Sequence, residues 1–245
     1  AAHCLHVLFR AMATLVSGTV VATDAERSAV GHAITPLTPL RVKNFALEDG
    51  LTGYAVNGTP ADSVKIAVGA ILKERPDLVV SGINLGPNTA TNIIYSGTVS
   101  AATEARILGI PSIAISLGGF KNPIWETAAN YAIRLAEQVL AHGLPAKILL
   151  NVNVPNLPAA EVKGVRVTRQ GESAYEERFD NRTDPRGVPY YWPAGPHRMS
   201  ATDEGADALT LARGYARVPP GSLDRTPLVS FAERTPWTLS TPAGR

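Results

Sequence analysis

A chain of 245 residues, 45% hydrophobic and 18% charged, holds enough apolar side chain for a sizeable core and fits one α/β domain with an appendage. Its net charge of +2 is spread without a Lys/Arg cluster, which excludes a footprint for duplex nucleic acid. The single cysteine, Cys4, excludes an intrachain disulfide or CxxC metal site and favours a reducing, cytoplasmic compartment; no apolar run reaches the ~20 residues that span a bilayer, and no signal-peptide pattern opens the chain.

Leu5, Leu8, Phe9, Met12 and Leu15 recur at helical spacing and predict an amphipathic helix over residues 3–15, ended by Gly18. His3 and His6 read as helix-surface histidines, because no further metal ligand lies near them in sequence. Residues 19–22 form a short apolar strand with Asp24 at its carboxyl end. A helix then a strand, with no strand ahead of the helix, is an odd opening for a parallel sheet, in which a βαβ unit places one upstream. The polar loop 24–32 reads either as a solvent-exposed connection or as a ligand loop at the sheet edge. Residues 33–43 and 52–56 alternate and include Pro36 and Pro39, as edge strands or a hairpin do. Thr59 is a plausible N-cap, Pro60 suits the first helical position, and Asp62 in the first turn favours the helix dipole, a structural post rather than a catalytic one. Ala61, Val64, Val68, Ile71 and Leu72 supply that helix with its apolar face.

The rest of the chain is organised around Ser81-Gly82-Ile83-Asn84-Leu85-Gly86-Pro87-Asn88, entered from the apolar run Leu78-Val79-Val80. Tyr95-Ser96-Gly97-Thr98-Val99 follows, with a helix expected from near Ser96 to Gly109. Ligands of open α/β sheets sit at the carboxyl ends of the strands, and helix N-termini attract anions, so this stretch reads as a polar loop for a phosphate or an ion. A strand at 111–116, a helix at 124–142 and a strand at 148–155 complete an alternation that predicts a mainly parallel sheet with helices on both faces. A strand at 165–168 precedes a polar hairpin over 170–198 carrying Tyr190-Tyr191-Trp192, which suit a partner surface or packing on the parent domain. Residues 203–218 return as helix and strand, and the proline-rich tail 219–245 is expected to be poorly ordered.

Ser28, Asn84, Asn88, Ser96 and Thr98 offer neutral oxygens, with no thiol or imidazole among them. Such ligands suit Mg²⁺, Mn²⁺ or Ca²⁺ over zinc but hold a divalent cation weakly without carboxylates, so the residues alone favour phosphate binding over metal catalysis. An ordinary Asn/Gly-rich connection is the competing reading. There is no GxGxxG, Walker, GxSxG or HExxH motif, and the missing glycine fingerprint argues against a Rossmann dehydrogenase.

Several segments in order resemble the SurE family of stationary-phase survival nucleotidases: Val21 to His32, Asn57 to Asp62, Ser81 to Asn88, Tyr95 to Val99, Gly109 to Ala114, Asn151 to Pro155, and the arm from Thr168-Arg169-Gln170 to Tyr190-Tyr191-Trp192. The resemblance, which runs to about residue 218, implies a Rossmann-like three-layer α/β/α core over 1–158, an arm and return to the core over 159–218, and an enzyme that releases phosphate from nucleoside monophosphates. It implies one divalent cation (Mg²⁺, Mn²⁺ or Ca²⁺) with Ser28 and Asn84 among its ligands. Asn88, Ser96, Gly97 and Thr98 match the phosphate-side residues, and the 170–198 arm matches the segment through which family members form homodimers or homotetramers. The family's first strand ends in Asn-Asp-Asp-Gly and carries both metal-binding Asp; no Asp-Asp pair occurs here, and the spacing places that strand just ahead of Ala1. No catalytic residue is therefore identified, and the expectation is a 5′-nucleotidase-type chain that is inactive or impaired. The alternative is a non-catalytic nucleotide- or anion-binding oligomer.

Overall fold

The computed structural model describes residues 2–46, 52–175, 178–195, 197–199 and 206–224. Helix α1 (Ala2–Met12) packs along α4 (Trp125–His142) on one face of the central sheet. Cys4, Val7, Leu8, Ala11, Met12 and Leu15 of the α1 segment meet that core, a face turned slightly from the one the leucine spacing marks out. The turn buries His6, 4% exposed, against the expectation of a surface histidine, because α1 lies flat on α4 and the row between its apolar ridges is covered; His3 stays exposed.

Strand β1 (Val21–Thr23) pairs parallel with β3 (Thr52–Val56), and β2 (Val42–Ala46) pairs antiparallel with β3. The proline-bearing stretch 33–41, expected as an edge strand, is irregular chain. In the larger sheet β4 (Val79–Leu85), β5 (Ser112–Gly118) and β6 (Ile148–Pro155) run parallel. Among the described residues β1 and β4 each pair on one side only, so no ladder joins the two sheets. β5 is buried along nearly its whole length, as a strand covered on both faces must be. Ile113, Ile115 and Leu117 pack towards α1 and α4, while Ala114 packs with Val99 and Ala102 of α3 (Gly97–Ile107), an alternation that follows from the pleat. The result is a three-layer α/β/α core with a mainly parallel sheet, as expected.

β4 runs further than expected. The predicted polar loop begins at Ser81, yet the strand continues to Leu85, with Asn84 opposite Ser116. Gly82 makes this possible: its φ is +139°, and a Cβ there would collide with the Ile115 carbonyl, so only glycine lets the chain step past β5 where the register shifts. The single predicted helix after Thr59 is instead α2 (Pro60–Ile66) followed by a π-helical turn, Ala67–Ile71.

Past β6, β7 (Val165–Arg166) pairs with β12 (Ala216–Arg217), which also pairs antiparallel with β6. The arm is a long hairpin: β8 (Ser173–Tyr175) with β11 (His197–Met199) at its base, and β9 (Phe179–Thr183) with β10 (Pro189–Pro193) beyond. Its tip turns at Asp184, whose carboxylate accepts the Arg186 and Val188 N–H groups. Helix α5 (Asp207–Ala212) leads back to the core. The expected disorder from 219 does not extend to 220–222, where β13 (Pro220–Ser222) pairs with β6; its leading proline sits at the start of an edge strand, where a missing N–H is tolerated. Residues 225–245 lie outside the described residues.

Asp62 closes a capping box on α2: its amide donates to Thr59 Oγ1 at 3.1 Å and its carboxylate accepts the Thr59 N–H at 2.9 Å. The carboxylate also accepts the Thr35 hydroxyl at 2.6 Å and the Thr35 N–H at 3.0 Å, tying the irregular 33–41 stretch to the helix. Burial pushes this carboxyl up, and the hydrogen bonds from Thr35 and Thr59 outweigh it, holding it below the ordinary value of 3.8. A carboxylate depressed in the folded state contributes stability that is complete above its unfolded value and lost as pH falls through the lower folded one. Asp62→Asn is expected to lower urea-unfolding stability at neutral pH by about 1–2 kcal/mol, with the gap to wild type closing in acid.

Candidate active site

Three segments converge at the carboxyl ends of β1 and β4. Gly31 N–H donates to the Tyr95 carbonyl at 3.0 Å, which draws loop 24–32 against the turn before α3. A Cβ on Gly97 would stand 3.4 Å from the Arg27 carbonyl and 2.9 Å from Pro60 Cγ, so that turn nests between the loop and the start of α2. Asn84, at the end of β4, accepts the Thr98 hydroxyl on Oδ1 at 3.4 Å.

Ser96 caps α3 by accepting the Val99 N–H on its hydroxyl at 3.1 Å, which places the Gly97 and Thr98 amides at the head of the helix, where the dipole favours an anion. Asn84 Nδ2 donates to the Gly86 carbonyl at 2.8 Å, which fixes its rotamer and leaves Oδ1 towards Thr98. Ser28 is exposed on the facing loop, its hydroxyl donating to Glu26 Oε1 at 2.7 Å; neighbouring Asp24 pairs with Arg27 at 3.4 Å. Asn84, Ser96, Gly97 and Thr98 thus come together, with the Ser28 loop against the same turn.

Asn88 is placed differently: it is 7% exposed and its amide donates to Ser116 Oγ at 2.8 Å, inside the fold. Its carbonyl accepts Arg217 Nη2 at 2.9 Å, Asn151 Nδ2 at 3.0 Å and Asn153 Nδ2 at 3.2 Å. Arg217 pairs with Asp207 at 2.9 Å, both fully buried, and Asp207 also accepts the Ala90 N–H at 2.8 Å. Burial draws the Arg217 guanidinium down to about 10, against the Asp207 carboxylate that holds it up, so it stays charged at neutral pH.

Two further residues shape the site without forming a motif in the sequence. Glu104, 4% exposed on α3, meets His32 Nε2 at 2.7 Å and Lys65 Nζ at 3.1 Å, joining the Ser28 loop, α2 and α3 through one buried carboxylate. Its one signal is a charge on a helix face otherwise made of small residues such as Ala101, Ala105 and Ser100. Phe120, two residues past β5, lies over Gly86 so closely that any Cβ there would overlap its ring. An aromatic just beyond a buried strand, at the sheet edge that binds ligands, is the signal there.

Among the described residues no group of three or more His, Cys, Asp or Glu is placed to hold a metal ion. Ser28 and Asn84 bring neutral oxygens only, and a hard divalent cation requires carboxylates beside them. These residues on their own do not make a cation site; what they assemble is a set of donors around a helix N-terminus. No described helix is long and apolar enough to cross a membrane.

The family model for survival protein SurE matches residues 1–177. A protein of Syntrophobacter fumaroxidans named 5′-nucleotidase SurE is 48% identical over 221 residues, covering 90% of this chain and 88% of its own. One of the same name from Chlorobium phaeobacteroides is 43% identical over 235 residues, 96% of this chain and 91% of its own. The crystal structure of the SurE protein from Aquifex aeolicus superposes with a TM-score of 0.77 at 44% identity, covering 90% of this chain and 88% of that one.

Removing the buried charge that joins loop, α2 and α3 has a local signature. Glu104→Gln is expected to cost about 1–3 kcal/mol and to speed amide exchange at Gly31 while the β5 amides stay protected, as read by hydrogen–deuterium exchange.

Proposed function

The chain belongs to the SurE family, and from that premise we propose that it is a nucleotidase-type phosphomonoesterase whose substrate is a nucleoside monophosphate. The observation that carries this reading is the Ser96-capped N-terminus of α3, bonded through Thr98 to Asn84 at the carboxyl end of β4. The Gly97 and Thr98 amides and the Thr98 hydroxyl would donate to the phosphate oxygens, where developing charge is stabilised by fixed dipoles. Asn84 would orient the Thr98 hydroxyl, and Ser28 would face the phosphate from the opposite loop. Asn88 would serve the phosphate side through the shape of the loop, since its amide is engaged with Ser116.

The family resemblance implies one divalent cation, Mg²⁺, Mn²⁺ or Ca²⁺, beside Ser28 and Asn84; such an ion supplies positive charge to a phosphoryl group. Among the described residues no group of three or more His, Cys, Asp or Glu is placed to hold it, and the second reading is a nucleotide-binding protein that is not itself a catalyst. The arm, with Tyr190, Tyr191 and Trp192 exposed along β10, would join copies into a homodimer or homotetramer.

The chain is expected to bind AMP by calorimetry without added metal, Thr98→Ala weakening that binding several-fold, and absence of binding would overturn the phosphate seat. Phosphate release from AMP or GMP with Mn²⁺ or Mg²⁺ that Ser28→Ala or Asn84→Ala abolishes would carry the phosphomonoesterase reading, and release at background only would overturn it in favour of the binding protein. Tyr191→Asp together with Trp192→Asp is expected to lower the mass measured by sedimentation to that of a monomer.

A further inference from the structure

We propose that Phe120 is the platform on which the substrate's nucleobase stacks, and so the residue that makes the site prefer nucleoside monophosphates to other phosphate monoesters. The inference rests on reading the 96–98 turn as the phosphate seat.

Phe120 is 72% exposed, with its ring lying against Gly86. Its loop is nevertheless held firmly. Asn156 Oδ1 accepts the Ile124 N–H at 2.8 Å, and Asn156 Nδ2 donates to the Lys121 carbonyl at 2.9 Å and the Asn122 carbonyl at 3.2 Å. Gly119 closes on Leu117 with a 2.9 Å bond and backs onto Asn156 so tightly that a Cβ would meet the Asn156 Cβ at 2.9 Å. An exposed ring on an anchored loop is preorganised, as a recognition surface must be to avoid ordering costs on binding.

The ring also stands in the right place. It covers Gly86, whose carbonyl holds the Asn84 amide, and Asn84 in turn holds Thr98. Gly86 lies two positions along the chain from Asn84, at most about 7 Å away, a span that a ribose can bridge between a phosphate at Thr98 and a base over Phe120. Gly86 has φ +99°, so glycine is required there both by the backbone and by the ring lying on it. A phenyl face reads stacking area rather than a hydrogen-bond pattern, so purines are favoured over pyrimidines while adenine and guanine are taken alike.

The test uses the full chain and calorimetry with AMP, CMP, inorganic phosphate and glycerol 3-phosphate, each with and without Mn²⁺. Phe120→Ala is expected to weaken AMP binding about 5- to 150-fold while leaving inorganic phosphate and glycerol 3-phosphate unchanged, and Phe120→Trp to retain AMP binding. Wild type is expected to bind AMP more tightly than CMP. AMP binding unaffected by Phe120→Ala would overturn the proposal, as would a parallel loss of AMP and phosphate, which would mark a collapsed loop rather than a lost stack. A wild-type chain that binds AMP no better than phosphate would overturn the platform and leave the phosphate seat standing. One that binds neither would overturn the seat and the platform with it.

Discussion

A guanidinium and a carboxylate, each with no exposed surface, meet at 2.9 Å beneath the loop that leaves β4. Taking two such ions out of water costs several kcal/mol each, and that cost is offset only when nearly every remaining lone pair and proton is matched. Here the loop supplies one partner to each ion, Gly171 and Ala208 supply two more N–H groups to Asp207, and Arg217 Nε is buried without a hydrogen-bond partner. The carbonyl of Asn88 receives Arg217 and two asparagine amides from β6, while Asp207 receives the Ala90 N–H, held at a positive φ of 51°, and the Gly171 N–H at the root of the arm. Any other path for residues 86–90 would take one hydrogen-bond partner from each buried ion. The loop is therefore fixed by electrostatics from below rather than by its own turn propensity.

The functional groups above that clamp sit on elements of graded firmness. Asn84 belongs to a sheet strand and Ser96 to a helix cap, so both are placed by ladders and helix hydrogen bonds. Phe120 hangs from Asn156. Ser28 is the most weakly held: it is exposed, and its loop is tied down at a distance, through Gly31 on Tyr95 and His32 on Glu104. Groups on sheet and helix termini give positional precision, while a loop held at its far end can adjust around a ligand.

The parallel strands, the flanking helices, the Thr59 cap and the return of residues 207–217 to the core were legible in the sequence, because each follows from local periodicity or capping chemistry. The start of α3 near Ser96 was legible too; its cap on the Val99 N–H was not. Three further features were not, each for a physical reason. β4 reads as stopping at Ser81, because its continuation depends on Gly82 passing close to the Ile115 carbonyl, a tertiary contact with no local signature. Asn88 reads as a polar residue facing a ligand, because the serine and arginine that turn it inward lie 28 and 129 residues away. Glu104 carries no reading in the sequence, because its partners His32 and Lys65 lie 72 and 39 residues away. Long-range pairing of buried polar groups hides from pattern reading, since each partner alone looks like a surface residue.

The separations in that clamp also bear on how the molecule is made. Ala90 and Asp207 are 117 residues apart, and Asn88 and Arg217 are 129 apart. A polypeptide emerging from the ribosome completes β4, β5 and β6, with their covering helices, well before α5 and β12 exist. The apolar layers can close during synthesis, but the ionic lock under residues 86–90 cannot, because its second half has not yet been translated. The nascent chain thus acquires its core before its pocket, and the shape of the site is among the last things the finished protein obtains.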